Sequence, residues 1–351
     1  MITIKQIAKE LNMSATTVSN VIHGKTKEVS QETIERVKAY LSDVEYVPNI
    51  NARNLAQNQS KMICVVLRVR EDRFMHILSD PFVSEMLGGI EEVVRAAGYY
   101  MMICISEDIS EIITKVETWN ADGLILFCML DDDALRIQRR YRKPIACVDA
   151  YVSDEVDESF GNDYVNVGLD DEGSVCEAVK YLINKGHKKI GFLTDNIEGV
   201  NAMRFKGYRR ALKEEGIKYS RSNLLMLEST KRDINRSLEK MIRLSENMTA
   251  VFCCSDLYAT MLMGMAQKLG KNIPDDLSIM GVDDILISRI CTPKLTTIHQ
   301  SAEDKGKIAA EKLLAILKGK DVEERQIILP HSIVERESVK DLREIVSLKA
   351  V

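Results

Sequence analysis

Three short runs of apolar residues at helical spacing occupy the first 46 residues. The runs start after Thr3, Ser14 and Ser30, which are residue types that cap helix N-termini, and Gln6 completes a capping box with Thr3. The pattern predicts three short helices around one small core. The predicted core positions are Ile4, Ile7, Ala8, Leu11, Val18, Val21, Ile22, Ile34, Val37 and Leu41.

The first two predicted helices have the spacing of a helix-turn-helix unit. Asn12 lies at the turn, where the backbone is left-handed and Gly is common, and Asn is the next residue type that tolerates this conformation. In such a unit the second helix lies in the major groove of DNA, with its N-terminal residues near base edges. A helical hairpin with a polar face is the alternative. The outward positions, which are the candidate base readers, are Ala15, Thr16, Ser19 and Asn20.

After the third helix, Pro48 ends the helical pattern, and a short, mostly polar segment follows. Residues 50–59 are compatible with a helix, but a helix of this length is barely stable alone in water. We expect it to order on a partner, with Leu55 as its apolar contact.

From residue 61 to residue 338, short apolar runs rich in β-formers alternate with amphipathic helical patterns. Continuous apolar runs suit parallel strands that helices cover on both faces, so the pattern predicts doubly wound α/β sheets, two in number. The predicted strands are residues 62–69, 100–105, 123–129, 145–148, 189–194, 224–227, 250–253 and 277–282.

Composition and charge describe an ordinary globular chain with a slightly basic N-terminus. The 351 residues carry a net charge of −5, but residues 1–61 hold 8 Lys and Arg against 6 Asp and Glu, which favours a phosphate-bearing partner for this segment. The eight cysteines form no C-x-x-C pair, so we expect neither a zinc site nor disulfides. With no signal-peptide pattern and no membrane-length apolar run, we expect a cytoplasmic protein.

The sequence offers little support for an enzyme. It has no P-loop, no G-x-G-x-x-G after a strand, no G-x-S-x-G elbow and no metal-ligand cluster, so we expect no cofactor. His187, in KGHKK, precedes a predicted strand, and we interpret it as a packing or capping residue rather than a catalytic base.

Several blocks of the chain resemble the lactose-repressor (LacI/GalR) family of bacterial transcription regulators. The resemblance implies a small all-α helix-turn-helix head at 1–48, a hinge at 49–60, and a two-lobed periplasmic-binding-protein-like core at 61–340, before a tail at 341–351. It places the first lobe at about 61–160 and 291–321 and the second at about 161–290 and 322–340. The blocks are ITIKQIAKELNMSATTVSNVIHG, VSQETIERV, YVPNINARNLAQ, DPF, ADGLIL, KGHKKIGFL, RFKGYRRAL, IPDDLSIMGVDD and PKLTTIHQ.

The resemblance also implies a ligand site in the cleft between the lobes. Arg204 corresponds to an arginine that points into the cleft and Asp283 to its acceptor, whereas a helix-start arginine and a loop-capping acid are the alternative interpretations. Asp80 and Phe82 match a cleft-edge loop that either closes over a ligand or simply packs on the lobe. Ser255, Ser229 and Val200 depart from the residues of many sugar-binding members. The candidate ligand-binding residues are Asp80, Phe82, Asp149, Arg204, Ser255 and Asp283.

These features together predict a DNA-binding transcription repressor that acts as a homodimer on a pseudo-palindromic operator and responds to a small, sugar-like effector. A catabolite-control-type regulator, whose corepressor is a phosphorylated carrier protein, is the alternative. A solute-binding protein shares the core fold but would need a signal peptide and would not carry residues 1–59. The candidate DNA-contacting residues are Thr3, Ser14, Ala15, Thr16, Thr17, Ser19, Asn20, His23, Asn49, Ala52, Arg53, Leu55 and Ala56.

Overall fold

The computed structural model describes residues 2–46, 59–69, 75–151, 159, 161, 163–228 and 233–343. The chain divides into two compact units, Met1–Ser60 and Lys61–Val351. This boundary lies next to residue 61, where the sequence placed the start of the core. Most of the predicted hinge, 49–60, and most of the tail, 341–351, lie outside the described residues.

The first unit contains the three predicted helices. Thr3 and Gln6 form a complete capping box, and the hydroxyls of Ser14 and Ser30 accept hydrogen bonds from the backbone N–H groups of Thr17 and Thr33. Each helix therefore begins where its capping residue predicted. The helices are α1 (Ile4–Glu10), α2 (Ala15–Ile22) and α3 (Gln31–Asp43).

One apolar cluster holds these helices together. Ile7, Val18 and Val37, one from each helix, are completely buried. Asn12 has a φ of 54°, which confirms the left-handed turn between α1 and α2. Because such a small unit buries little apolar surface, these few contacts carry much of its stability.

In the second unit, the first lobe is built on a six-stranded sheet in which all neighbouring strands are parallel. Ile63 and Val65 face one side of this sheet and Cys64 and Val66 the other, and each side has its own apolar cluster. The strands, in spatial order, are β11 (Gln326–Leu329), β5 (Tyr164–Leu169), β4 (Ile145–Val148), β3 (Gly123–Phe127), β1 (Met62–Arg68) and β2 (Tyr100–Ser106). The helices that cover it are α4 (Pro81–Ala96), α5 (Ile109–Trp119), α6 (Asp131–Arg140) and α12 (Ala302–Leu317).

The second lobe is built on another six-stranded sheet, parallel except for its last strand, which pairs antiparallel with its neighbour. The strands, in spatial order, are β12 (Ser332–Val334), β10 (Thr296–His299), β9 (Ser278–Asp283), β8 (Ala250–Cys253), β6 (Ile190–Thr194) and β7 (Leu224–Met226). The helices of this lobe are α7 (Asp171–Asn184), α8 (Gly199–Glu214), α9 (Ile234–Leu244), α10 (Asp256–Lys268) and α11 (Leu286–Ile290). The two sheets confirm the predicted doubly wound α/β core.

The chain crosses between the lobes after β5, after β10 and after β11. The crossings predicted near residues 160, 290 and 322 are wrong, because each of these positions lies before one of the three strands and the chain crosses after it. None of these three strands was predicted from the sequence. β5 carries the polar Asn166 in its interior, which hides its apolar pattern. The Asn166 amide is nevertheless satisfied, since it bonds to both backbone groups of Ala150 and to the side chain of Gln326.

Two glycines in the helices of the second lobe differ in the space around them. A Cβ on Gly207 would lie 2.2 Å from the carbonyl oxygen of Glu172, so α8 can pack on α7 only with glycine at this position. Gly264, in the middle of α10, has no atom within 4 Å of the same point. The two positions therefore form a matched pair, one crowded and one open.

We predict that Gly207→Ala lowers the free energy of unfolding by about 1–3 kcal/mol, because the new methyl group forces α7 and α8 apart. Gly264→Ala should instead raise it by roughly 0.5–1 kcal/mol through better helix propensity. Urea denaturation followed by circular dichroism measures both. Equal stabilities for the two variants would show that the close approach of α7 and α8 does not contribute to the stability of the protein.

Candidate functional site

The outward face of α2 presents the predicted base-reading residues. Ala15 and Thr16 are exposed in its first turn, and Ser19 and Asn20 are partly exposed one turn later. Thr17 is less available, because its hydroxyl and its backbone N–H both bond to the hydroxyl of Ser14.

The remaining predicted DNA contacts fall at other positions. Thr3 is exposed at the start of α1 and belongs to the capping box, and His23 is partly buried as the C-cap of α2. Lys25 and Lys27, which the sequence analysis did not select, are exposed just after α2 and carry charge suited to phosphate. The hinge residues Asn49, Ala52, Arg53, Leu55 and Ala56 lie outside the described residues.

The second candidate site is a cavity of about 450 Å³ in the cleft between the two lobes. This volume is within the range of small-molecule sites, roughly 300–1,000 Å³. The cavity lies at the carboxyl ends of strands of both sheets, where open α/β sheets bind their ligands. It is lined by all six predicted ligand-binding residues: Asp80, Phe82, Asp149, Arg204, Ser255 and Asp283.

Arg204, on α8, lies at the floor of this cleft and is 6% exposed. Its Nε donates to Asp171 at 2.7 Å, and its Nη1 donates to the carbonyl oxygen of Cys254. Its Nη2 lies 3.9 Å from Asp283, too far for a good hydrogen bond. The guanidinium is therefore anchored by two of its nitrogens and has donors left on the third.

Asp171, the main partner of Arg204, was not predicted. It is the first residue of α7 and is 1% exposed, and its other oxygen accepts a hydrogen bond of 2.5 Å from the hydroxyl of Tyr151. Because β5 was not predicted, no pattern placed Asp171 at a strand end beside the cleft. An acid directly after a buried strand would have been the signal.

Asp283 ends β9 and faces the cleft from the second lobe. Its Oδ1 accepts a hydrogen bond of 2.6 Å from Gln300. Burial raises the pKa of Asp283 to about 7, although Arg204 and the bond from Gln300 both favour the charged form. This carboxyl group thus titrates near neutrality, and a cation or a hydrogen-bond donor in the cleft would favour its ionised form.

Asp149 directly follows β4 and lines the cleft from the first lobe. It bonds through Oδ1 to Lys305, a lysine of α12 with no exposed surface. Burial raises the pKa of Asp149, against the opposing charge of Lys305. The Nζ of Lys305 also lies 5.6 Å from the centre of the Phe82 ring. The sequence analysis missed Lys305, since lysine in an amphipathic helix is normally a surface residue.

Asp80 and Ser255 both line the cleft and cap helices. Asp80 accepts a hydrogen bond from the backbone N–H of Phe82 at the start of α4, and Ser255 accepts one from that of Tyr258 at the start of α10. Phe82 is 8% exposed and packs near Phe127, so its ring is largely part of the lobe. These contacts support a packing role for the cleft-edge loop, although Asp80 and Phe82 still line the cleft.

The start of α8 contributes polar groups that the sequence analysis did not select. Glu198, its N-cap, makes no side-chain capping bond, and the backbone of Gly199 and Val200 lines the cleft. The amides of Asn196 and Asn201 both donate to Asp195 nearby. Val200, one of the departures noted in the sequence, lies here, whereas Ser229 lies outside the described residues.

Elsewhere in the core, His187 is 1% exposed and bonds to Thr249 and to the carbonyl oxygen of Lys340. Burial lowers its pKa, and its two hydrogen bonds within the core support the interpretation of a packing residue. All eight cysteines are free. In the part of the chain that the structure describes, no group of three His, Cys, Asp or Glu residues is arranged to hold a metal, and no helix is long and apolar enough to cross a membrane.

A helix-turn-helix unit and a ligand-sized cleft between two doubly wound lobes define, together, a DNA-binding regulator that responds to a small molecule. Comparison with protein-family models agrees with this class. Residues 3–49 match the model for bacterial regulatory proteins of the lacI family. Residues 179–339 match that for a periplasmic binding protein-like domain.

Individual relatives match over almost the whole chain. The HTH-type transcriptional repressor PurR of Photobacterium profundum is 31% identical over 348 residues, which cover 97% of this chain and 100% of PurR. The ribose operon repressor of Haemophilus influenzae is 30% identical over 349 residues, covering 98% and 100%.

A solved structure of the lac repressor dimer, bound to operator and the anti-inducer ONPF, superimposes with a TM-score of 0.82 at 22% identity and covers 97% of this chain and 99% of that one. The chain belongs to the lacI family of bacterial regulatory proteins, which are transcription regulators and not enzymes.

We predict that Asp171→Ala lowers the free energy of unfolding by about 3–5 kcal/mol, because it leaves the charge of Arg204 buried without a full counter-charge. The neighbouring Glu172 forms ion pairs with the exposed Lys206 and the partly exposed Arg210. Glu172→Ala should therefore change stability by at most about 1 kcal/mol. Urea denaturation measures the free energy of unfolding of both variants. Similar losses in the two would mean that the pair of Arg204 and Asp171 does not stabilise the fold more than a surface ion pair does.

Proposed function

We propose that this protein is a sequence-specific DNA-binding repressor whose operator affinity is set by a small ligand in the cleft between its lobes. The observation that carries the proposal is the convergence of polar side chains from both lobes on one cavity, in a chain that also holds a helix-turn-helix head. A ligand that touches both lobes binds one lobe arrangement better than another, and only such a difference can alter DNA binding.

In the head, the first turn of α2 supplies the base contacts. Ala15 and Thr16 reach the base edges most directly, since they are exposed and make no capping bond, and Asn20 offers an amide that suits adenine. Lys25 and Lys27 supply phosphate contacts, so binding weakens as salt rises. Thr3, Ser14 and the hinge residues complete the proposed interface.

In the cleft, the chemistry of the free atoms favours a hydroxylated, sugar-like ligand. Among the described residues, Nη2 of Arg204 keeps donors for a ligand, and Asp149 and Asp283 each have one oxygen engaged and the second available as an acceptor. Phe82 also lines the cleft and gives the ligand an apolar contact. A molecule with several hydroxyl groups, each donor and acceptor, satisfies this set. The small volume of the cavity, about 450 Å³, and its position between the lobes favour a small effector over a protein corepressor.

The proposed assembly is a homodimer. On the second lobe, α11 exposes Leu286 by 63% and Ile290 by 68%, next to the partly exposed Ile287. Neighbouring large apolar side chains on one short helix are typical of a contact surface. A second copy on this surface gives the two-fold symmetry that a pseudo-palindromic operator requires. The proposed location is the cytoplasm, where the DNA is.

The first experiment selects an operator from random DNA and then screens sugars, nucleobases and sugar phosphates for a thermal shift. Because Arg204→Ala would leave Asp171 buried without its partner, the test variant changes both residues, Arg204→Met with Asp171→Asn. Arg209→Ala, an exposed position on the same helix, is the matched control.

We predict that the double variant binds operator like the parent without ligand but binds the ligand about ten- to a hundredfold more weakly, because charge-assisted hydrogen bonds of roughly 1.5–3 kcal/mol are lost. Arg209→Ala should respond like the parent. Fluorescence anisotropy at fixed ionic strength measures operator binding with and without ligand. A full ligand response in the double variant would place the ligand site elsewhere.

A further inference from the structure

A row of buried hydrogen bonds joins the strand ends of the two lobes. Lys305 donates to Asp149, at the end of β4 in the first lobe, and also to Oε1 of Gln300 at 2.6 Å. Gln300 in turn donates through Nε2 to Asp283, at the end of β9 in the second lobe, at 2.6 Å. Gln300 lies on the segment between β10 and α12, where the chain crosses from the second lobe to the first. We call Asp149, Lys305, Gln300 and Asp283 the relay.

The chemistry of the relay residues fixes the orientation of the Gln300 amide. A lysine ammonium can only donate hydrogen bonds, so the carbonyl oxygen of the Gln300 amide must face Lys305. The amide nitrogen then faces Asp283, whose carboxylate accepts. If the amide were turned over, two donors would face each other at Lys305 and two acceptors would face each other at Asp283. The relay therefore has one stable hydrogen-bond pattern, and a change at one end alters the hydrogen bonds of the amide.

Close helix packing buries the lysine end of the relay. A Cβ on Gly306 would lie 2.2 Å from the carbonyl oxygen of Met86, and one on Gly89 would lie 2.3 Å from that of Glu303. These two glycines bring α4 and α12 into backbone contact directly beside Lys305. Lys305 has no exposed surface and Gln300 is 3% exposed. In such a buried setting, hydrogen-bonded groups affect one another more strongly than they do in water.

We propose that Lys305 and Gln300 are positioning residues that couple the carboxylate of Asp149 in the first lobe to that of Asp283 in the second. Among the described residues, the relay occupies one oxygen of each carboxylate, and both aspartates line the cleft. A contact made at either carboxylate thereby alters the hydrogen bonding of the other. This goes beyond the proposed function, because the coupling is a property of the core alone and needs neither ligand nor DNA.

The direct test removes one end of the relay and observes the other. The full-length protein, carrying ¹³C at the aspartate carboxyl carbon, is studied by NMR, and the signal of Asp149 is assigned by its loss in Asp149→Asn. The perturbation is Asp283→Asn, which leaves the buried pair of Lys305 and Asp149 intact. We expect this change to shift the Asp149 carboxyl signal and its titration midpoint.

The same perturbation is repeated in two backgrounds. Gln300→Met keeps the side-chain volume but removes the relay, so Asp283→Asn should no longer shift the Asp149 signal. Gln267→Met is the matched control, because the side chain of Gln267 donates to the carbonyl oxygen of Thr292 within the second lobe, and the shift should persist there. An ordinary structural ion pair between Lys305 and Asp149 would not show this dependence on Gln300.

Two results would overturn the proposal. If Asp283→Asn leaves the Asp149 signal unchanged in the parent, the two carboxylates are not coupled. If the shift is the same in the parent and in Gln300→Met, the coupling passes through space or through another contact, such as that of Arg204 with Asp283. Both results concern the core without ligand or operator, so neither bears on the proposed function in DNA binding.

Discussion

Two buried cations at the junction of the lobes constrain the whole core. Arg204 and Lys305 are almost or completely buried, and a buried charge is tolerated only with a counter-charge and hydrogen bonds in place. Asp171 and Asp149 supply those counter-charges from the ends of structural elements, so the elements must end where they do. Among the described residues, these contacts engage one oxygen each of Asp149 and Asp283 and two nitrogens of Arg204, and all three side chains line the cavity. The need to satisfy buried charge has thus shaped the site for a polar ligand.

Helix starts shape the rest of the cleft. α4 begins at Asp80 and α10 begins at Ser255, and both caps line the cavity, while α8 opens with the backbone of Gly199 and no side-chain cap. Gly199 and Val200, at the start of α8, line the same cavity as the carboxylates, and the N–H groups of a helix start favour an acceptor atom. The cleft therefore presents donors and acceptors at close range. This combination matches hydroxyl groups, which act as both, better than it matches a simple anion.

The parts of this structure that depend on local patterns were predictable from the sequence. The caps Thr3 and Ser14, the left-handed Asn12 and the strand ends at Asp149 and Asp283 all follow from residues close in the chain. What could not be predicted depends on distant packing. Lys305 looks like a surface lysine until α4 and α12 meet at their glycines, and β5 with its interior Asn166 did not show an apolar strand pattern. Because β5 was not predicted, the lobe boundary near residue 160 was misplaced and Asp171 was not selected as a site residue.

In the proposed mechanism, the ligand bridges the two lobes at these unused polar atoms. A crystal structure of the full-length protein with the ligand found by the thermal-shift screen tests this most directly. We predict ligand hydroxyls within hydrogen-bond distance of the free oxygens of Asp149 and Asp283 and of Nη2 of Arg204. A ligand seated elsewhere, such as the surface groove of the second lobe lined by Phe205, Arg209 and Tyr219, would contradict the mechanism.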